Sequence, residues 1–128
     1  MAVTLALDVL PAEVAVARLD PASAVPTWAH DRTFCALVLT ADELTVVCPA
    51  SVVPDGVRRE GPFRVLVVRG PLDFALTGIL DSLTQPLAAA GISIFALSTF
   101  DTDVLLVRTA DVPAATAALT AAGHRIGP

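Results

Sequence analysis

The chain has 128 residues, of which 55% are hydrophobic and 16% are charged, and its formal net charge is −5. This composition excludes a disordered chain, and a negative chain without a basic stripe is not expected to bind nucleic acid. No apolar run approaches the roughly 20 residues that a membrane-spanning helix needs, and residues 1–3 lack the basic start of a signal peptide, so we expect a cytoplasmic protein with no membrane partner.

Residues that bind metals are scarce and scattered. The chain has two cysteines, Cys35 and Cys48, and two histidines, His30 and His124. Zinc sites usually take four ligands, with pairs at short spacings such as CxxC, and no such pair is present. We therefore expect neither a metal nor a cofactor.

The N-terminal half, residues 1–58, is expected to consist mainly of strands. Residues 3–10 are apolar and end at Pro11, which predicts a first strand. Residues 13–19 alternate larger with smaller side chains, the period-two pattern of a second strand. Residues 20–32 contain two prolines and several polar residues, which predicts a loop.

A β-hairpin is expected next. Residues 33–39 and 44–48 are apolar and β-branched, and a two-residue loop at Ala41-Asp42 would join them. That register places alternate residues of both strands on one buried face. The residues expected on this face are Cys35, Leu37, Leu39, Leu44, Val46 and Cys48. Because disulfides are rare in the cytoplasm, both thiols are expected to be buried and reduced.

The C-terminal half, residues 61–128, has a clearer pattern. Strands are predicted over residues 63–68, 92–97, 104–108 and 124–126, and helices over residues 73–90 and 111–123. The order β-α-β-β-α-β, with right-handed crossovers, predicts an α+β ferredoxin-like unit with an antiparallel sheet and two helices on one face. In this arrangement we expect strand 63–68 to lie beside strand 104–108, and strand 92–97 to lie at the edge beside strand 63–68.

Several segments resemble one known family in the same order along the chain. They are residues 61–66, 70–74, 77–80, 86–94, 98–103 and 104–107. The order is similar to the ACT domain, in particular to small bacterial proteins related to the cytosolic arginine sensors of animals, and AGISI followed by STFDTD is its most specific part. The resemblance covers residues 61–126. Phe34 and residues 40–48 resemble a degenerate upstream ACT unit in which a loop replaces the first helix.

The resemblance implies a non-catalytic regulatory or sensor module. ACT domains generally bind small molecules, very often amino acids, at interfaces between ACT units. In the arginine-sensor branch, the position matching Asp103 faces the positive charge of the ligand. The ligand-binding residues that the resemblance implies are Gly70, Leu72, Asp73, Ser98, Thr99, Phe100 and Asp103.

The residue types are compatible with that site, and a simpler interpretation stays open. A helix that begins after Asp73 offers free N–H groups and a positive dipole end to a carboxylate, and Asp103 can meet an ammonium group. Alternatively, Asp73 caps this helix with its own carboxylate. The N–H groups of residues 77–79 are then donors only if the helix begins later. Residues 101–103 can also be a plain polar turn and offer too few oxygens for calcium or magnesium.

Other functions also stay open. The first alternative is a protein–protein interaction module without a small ligand, and the second is a small enzyme of unfamiliar type, although no nucleophile motif is present. The hydrophobic excess favours a two-fold homodimer. From the expected strand order, residues 70–73 and 98–103 lie far apart within one unit, so a second unit would complete the site. Gly78 is expected inside the helix, where the missing side chain allows close packing.

Overall fold

The computed structural model describes residues 3–73 and 77–128 and divides the chain into two units. Unit 1 comprises Met1–Pro11 and Arg64–Pro128, and unit 2 comprises Ala12–Phe63. The strands are β1 (Ala6–Leu19), β2 (Ala36–Leu39), β3 (Leu44–Pro49), β4 (Arg59–Val68), β5 (Ile94–Ser98), β6 (Asp103–Arg108) and β7 (Arg125–Gly127). The helices are α1 (Ile79–Ala89) and α2 (Val112–Ala121). None of the helices in these residues is long and apolar enough to cross a membrane.

The sheet of unit 1 has the strand order β7-β1-β4-β6-β5. The element order predicted for the C-terminal half is present, and β7 pairs in parallel with residues 6–8 of β1. The expected position of strand 92–97 was wrong. This segment, β5, pairs with β6, from Ile94 opposite Val107 to Ser98 opposite Asp103, because a short turn joins the two strands directly.

Both helices of unit 1 pack on one face of its sheet. Alternate strand residues point toward the helices, as the period of two requires, and the helices contribute residues spaced by about one turn. This core contains Leu5, Leu7, Leu66, Val68, Ile79, Leu83, Leu87, Ile92, Leu105, Val107, Ala115 and Leu119. Each fully buried leucine contributes about 1.5–3 kcal/mol to folding, so this layer carries most of the stability of unit 1.

Strand β1 passes through Pro11 without a break, although the sequence predicted two strands separated there. β7 pairs with β1 as far as Asp8, and β3 pairs with it from Val14 onward. Neither strand pairs with residues 9–13. A proline that lacks an N–H group is tolerated where that side of the strand needs no donor, so β1 continues through it.

The predicted hairpin of unit 2 has the expected register. Leu37 lies opposite Val46, Leu39 lies opposite Leu44, and the N–H of Thr40 donates to the carbonyl of Glu43 at 2.9 Å. The prediction of one fully buried face was wrong for half of its members. The three residues on β3 are buried, whereas Cys35, Leu37 and Leu39 are exposed. The reason is that β2 is an edge strand, so less of the unit covers it.

The two cysteines of unit 2 occupy different environments, and both are free thiols. Cys48 is buried in the core cluster of unit 2, and desolvation raises the pKa of its thiol to about 11, with a smaller contribution from Cys35. Cys35 is exposed and donates its S–H to the carbonyl of Ala29. Because the thiolate is the reactive form, Cys48 is inert at neutral pH.

His124 supplies a hydrogen bond that a proline removes from α1. Pro86 lies inside α1 and has no N–H to donate to the carbonyl of Ser82. The Nε2 atom of His124 lies 2.9 Å from that carbonyl oxygen, and its Nδ1 accepts the N–H of Leu5 at 3.1 Å. Since Nδ1 is an acceptor, Nε2 carries the hydrogen and donates it to Ser82. The buried imidazole, 3% exposed, thus joins Leu5, the residue before β1, to α1.

We expect thiol reagents to distinguish the two cysteines. At pH 8 the native protein should show one rapidly reacting thiol, Cys35, because the raised pKa of Cys48 leaves almost no thiolate at that pH. The measurement is a colorimetric thiol titration, with Cys35→Ser as the control that should abolish the rapid phase. In denatured protein that has not been treated with a reductant, two thiols per chain should react. Fewer than two would contradict the expectation that both are reduced.

We expect His124→Ala to cost about 2–4 kcal/mol in the free energy of unfolding, because it leaves a buried N–H of Leu5 and the carbonyl of Ser82 without partners. Pro86→Ala restores an N–H that can bond to Ser82, so the cost of His124→Ala should be about 1 kcal/mol lower in that background. Urea unfolding of the four proteins in this double-mutant cycle measures the difference. Additive costs would show that His124 does not replace the missing donor.

Candidate functional site

The candidate site lies in unit 1, where the chain leaves β4. Two hydrogen bonds join this exit to the turn between β5 and β6. The hydroxyl of Thr102 donates to the carbonyl of Val68 at 2.6 Å, and the N–H of Leu72 donates to the carbonyl of Asp101 at 2.7 Å. The expectation that residues 70–73 and 98–103 lie far apart within one unit was therefore wrong, because β5 pairs with β6 and both turns lie at the same end of the sheet.

Gly70 allows this close approach of two backbones. A Cβ atom at this position would lie 3.0 Å from the carbonyl oxygen of Asp101 and 3.1 Å from the nitrogen of Leu72. Both neighbours are backbone atoms, which cannot move aside as a flexible side chain can. The structure therefore places Gly70 behind the site as a spacer, while the six other residues implied by the resemblance line a cavity.

The turn between β5 and β6 is held by its own threonines. The N–H of Thr99 donates to the carbonyl of Thr102 at 2.8 Å, and the hydroxyl of Thr99 accepts the N–H of Thr102 at 3.1 Å. At the base of the turn, the hydroxyl of Ser98 donates to Oδ1 of Asp103 at 2.7 Å, across the β5–β6 pair. These bonds fix the Asp103 carboxylate in one orientation through one of its two oxygens.

Helix α1 begins later than predicted, and this changes the interpretation of Asp73. The first helical residue is Ile79 and its N-cap is Gly78, which has φ 78° and makes no side-chain cap. Asp73 therefore does not cap the helix, so the simpler interpretation from the sequence was wrong. The predicted helical residues 74–76 lie outside the described part of the chain. The carboxylate of Asp81, in the first turn, accepts hydrogen bonds from Gln85.

These segments line an open cavity of about 350 Å³ in unit 1. Six residues predicted from the sequence line it: Leu72, Asp73, Ser98, Thr99, Phe100 and Asp103. Six further residues line it: Gly78, Ile79, Leu80, Asp81, Asp101 and Thr102. Gly78 and Ile79 were named from the sequence only for a helix that begins later than Asp73, and this is where α1 begins. The other four were not named as ligand-binding residues. Phe100 is 82% exposed.

The lining of the cavity is acidic. Its charged residues are Asp73, Asp81, Asp101 and Asp103, and among the lining residues there is no arginine, lysine or histidine. No group of three or more acidic, cysteine or histidine side chains in the described residues is arranged to hold a metal ion. The cavity therefore combines a negative wall with the N-terminus of α1, whose first N–H groups carry partial positive charge.

Two family models match the sequence in adjacent segments. A model of the ACT domain matches residues 58–121, and a model described as an N-terminal domain matches residues 12–56. Neither description names a catalytic activity. No protein with a curated description matches the chain.

Solved structures extend the likeness to nearly the whole chain. Protein Atu0741 from Agobacterium tumefaciens is 38% identical, with a TM-score of 0.92, over 98% of this chain and 93% of that one. VC0802 from Vibrio cholerae, a protein of unknown function, is 16% identical, with a TM-score of 0.76, over 93% and 90%. Aspartate kinase from Clostridium acetobutylicum, described as an allosteric enzyme, is 11% identical, with a TM-score of 0.62, over 95% of this chain and 35% of that enzyme. The last two likenesses show the fold alone.

We expect Gly78→Ala and Gly78→Leu to destabilise the protein by the same amount, about 1 kcal/mol each. The backbone at Gly78 is left-handed, which penalises any Cβ, but a Cβ there meets nothing within 4 Å. The expectation from the sequence that Gly78 allows close packing was therefore wrong. Thermal or urea unfolding measures the costs, and Gly78→Asn should cost less because Asn tolerates this conformation.

The exposed Asp101 provides the reference for the Gly78 variants. Asp101→Ala, which changes only an exposed turn side chain, should cost less than either of them. A cost for Gly78→Leu several times that of Gly78→Ala would restore the packing interpretation.

Proposed function

Because this chain belongs to the ACT-domain family, we propose that it is a regulatory module without catalytic activity, acting in the cytoplasm and sensing an amino acid. The observation that carries the proposal is the cavity in unit 1. It brings together a helix N-terminus without a side-chain cap and the carboxylate of Asp103. Its volume, about 350 Å³, lies within the range of small-ligand sites, and an amino acid carries the two opposite charges that these groups favour.

The carboxylate of the ligand would bind at the start of α1. The N–H groups of Ile79, Leu80 and Asp81 belong to the first turn, where a helix leaves its donors without intrahelical partners. Because Gly78 has no side chain, the N-cap places neither bulk nor charge in front of them. A carboxylate there would gain charge-assisted hydrogen bonds and the favourable end of the helix dipole.

The ammonium group of the ligand would bind to Asp103. Ser98 engages one carboxylate oxygen, which orients the side chain and leaves the second oxygen for a ligand donor. The three other lining carboxylates favour a ligand with an extra positive charge, which offsets their repulsion of its carboxylate. This supports placing the chain in the subgroup related to the arginine sensors, as the AGISI and STFDTD segments suggest.

We also retain the proposed organisation. Residues 61–128 would be the ACT domain with a ferredoxin-like fold, and residues 1–58 a degenerate ACT-like unit. An interface between ACT units would enclose the ligand, and a homodimer would supply a second copy. Phe100 supports this, since an apolar ring that is 82% exposed beside the cavity gains by being covered.

We expect isothermal calorimetry with the twenty amino acids to detect binding to the wild-type protein well below about 1 mM. Asp103→Asn keeps the size of the side chain and its acceptor for Ser98 but removes the charge. Because it removes the partner of the ammonium, it should weaken binding at least about tenfold, equivalent to ~1.4 kcal/mol. An analogue with an amide in place of the carboxylate should also bind more weakly.

The matched control is Asp55→Asn, which removes one carboxylate from an exposed position in unit 2 and should leave the affinity unchanged. Equal affinity of Asp103→Asn and wild type would remove Asp103 from the site. If no amino acid binds to the wild type below millimolar concentration, the ligand proposal fails, and an interaction module without a small ligand becomes the better description.

A further inference from the structure

Strand β2 is an apolar edge strand in unit 2. It stands at the end of the strand order and, among the described residues, it pairs with β3 alone. Leu37 is 40% exposed, Val38 45% and Leu39 58%. Since neighbouring residues in a strand point to opposite faces, both faces of β2 present apolar surface to solvent.

The hydrogen-bond pattern of the hairpin shows which backbone groups of β2 face outward. The N–H of Thr40 donates to Glu43, so the backbone of Thr40 points toward β3. Paired residues in an antiparallel ladder alternate between bonded and non-bonded, so Val38 also points toward β3. The N–H and C=O groups of Leu37 and Leu39 therefore point away from the sheet, toward the open edge.

Strand β2 lacks the features that usually prevent an edge strand from pairing with another chain. Edge strands in monomeric proteins are commonly protected by a lysine, a proline, an inward-pointing charge or a bulge. Residues 36–39 are Ala-Leu-Val-Leu, without any of these side chains, and the register with β3 runs through them without interruption. Four outward backbone groups flanked by exposed apolar side chains form a surface suited to another strand.

We propose that β2 pairs antiparallel with β2 of a second copy of this chain. The outward N–H and C=O groups of one copy must bond to the outward groups of the other. Leu37 therefore lies opposite Leu39 of the second copy, and Val38 lies opposite Val38 of the second copy on the two-fold axis. This register makes four hydrogen bonds between the copies, two for each Leu37–Leu39 pair. It also makes each of the three exposed side chains a cross-strand neighbour of an apolar side chain of the second copy, and a two-fold axis closes the assembly at two copies.

The charges around β2 favour a second copy over another partner. Arg32 precedes the strand and is exposed, and Asp42 and Glu43 follow it in the hairpin turn. Antiparallel pairing brings the leading segment of each copy toward the turn of the other, so Arg32 approaches the acidic turn of the second copy at both ends. Asp31 also lies in the leading segment, where its carboxylate accepts the N–H of Thr33. Arg18 donates to the carbonyl of Asp42 in the same turn. The complementary charges are therefore Arg32 of one copy and the carboxylates of Asp42 and Glu43 of the other.

Sedimentation velocity on the full chain, without ligand, tests the inference. The wild-type protein should be a dimer at about 100 µM and dissociate on dilution, because an interface of one strand is small. Val38→Lys places two like charges on the axis and should weaken the dimer at least about tenfold. The control is Val25→Lys, at a valine that is 42% exposed outside β2, which should leave the dimer unchanged. A wild-type monomer, or equal effects of both variants, would overturn the proposal.

A charge exchange tests the antiparallel register. Arg32→Asp and Asp42→Arg should each weaken the dimer. The double variant should recover most of the lost association, because the negative charge at position 32 of one copy then faces the positive charge at position 42 of the other. Failure to recover would overturn the two-fold register. This inference concerns a contact through unit 2 and goes beyond the interface proposed above, which would enclose the ligand in unit 1. Its experiment measures mass, whereas the ligand experiment measures heat. Each proposal can therefore fail while the other stands.

Discussion

Two hydrogen bonds join the turn between β5 and β6 to the chain that leaves β4, and the candidate site depends on them. The hydroxyl of Thr102 donates to the carbonyl of Val68, and the N–H of Leu72 donates to the carbonyl of Asp101. These bonds hold the two loops together on one side of the cavity. Gly70 makes this possible, since any side chain there would push the two backbones apart. Because the two loops are held together, the acidic turn and the start of α1 line the same cavity.

The order of the elements was predictable because apolar periodicity is a local property, and the hairpin register was predictable because it follows from turn length. The neighbour of β5 was missed: β5 was expected beside strand 63–68, but it pairs with β6, to which a short turn joins it. The site was found from motif positions, whereas the start of α1 was missed. Asp73 is a favourable N-cap by local propensity, but the helix begins at Gly78, where no side chain caps it.

In α1, one backbone hydrogen bond is missing and a side chain replaces it. Pro86 would leave a carbonyl of α1 without a donor, and an unpaired buried carbonyl costs more than an ordinary hydrogen bond contributes. His124 supplies the donor and, through its other nitrogen, also holds Leu5, the residue before the first strand. The sequence alone could not identify this role of His124, because the histidine and the proline meet only in the folded chain. A rigid α1 in turn keeps its N-terminus fixed beside the cavity.

The division of the chain also bears on how the protein is made. Unit 1 takes the first part of β1 from Met1–Pro11 and everything else from Arg64 onward, with the whole of unit 2 between them. On the ribosome, residues 12–63 therefore emerge while unit 1 consists of a single strand without neighbours. Unit 2 can fold first. The beginning of β1 has no partners from its own unit until β4, the helices and β7 have been synthesised. The apolar residues Leu5 and Leu7, which belong to the core of unit 1, stay uncovered throughout that interval, so they are exposed to misassociation during synthesis.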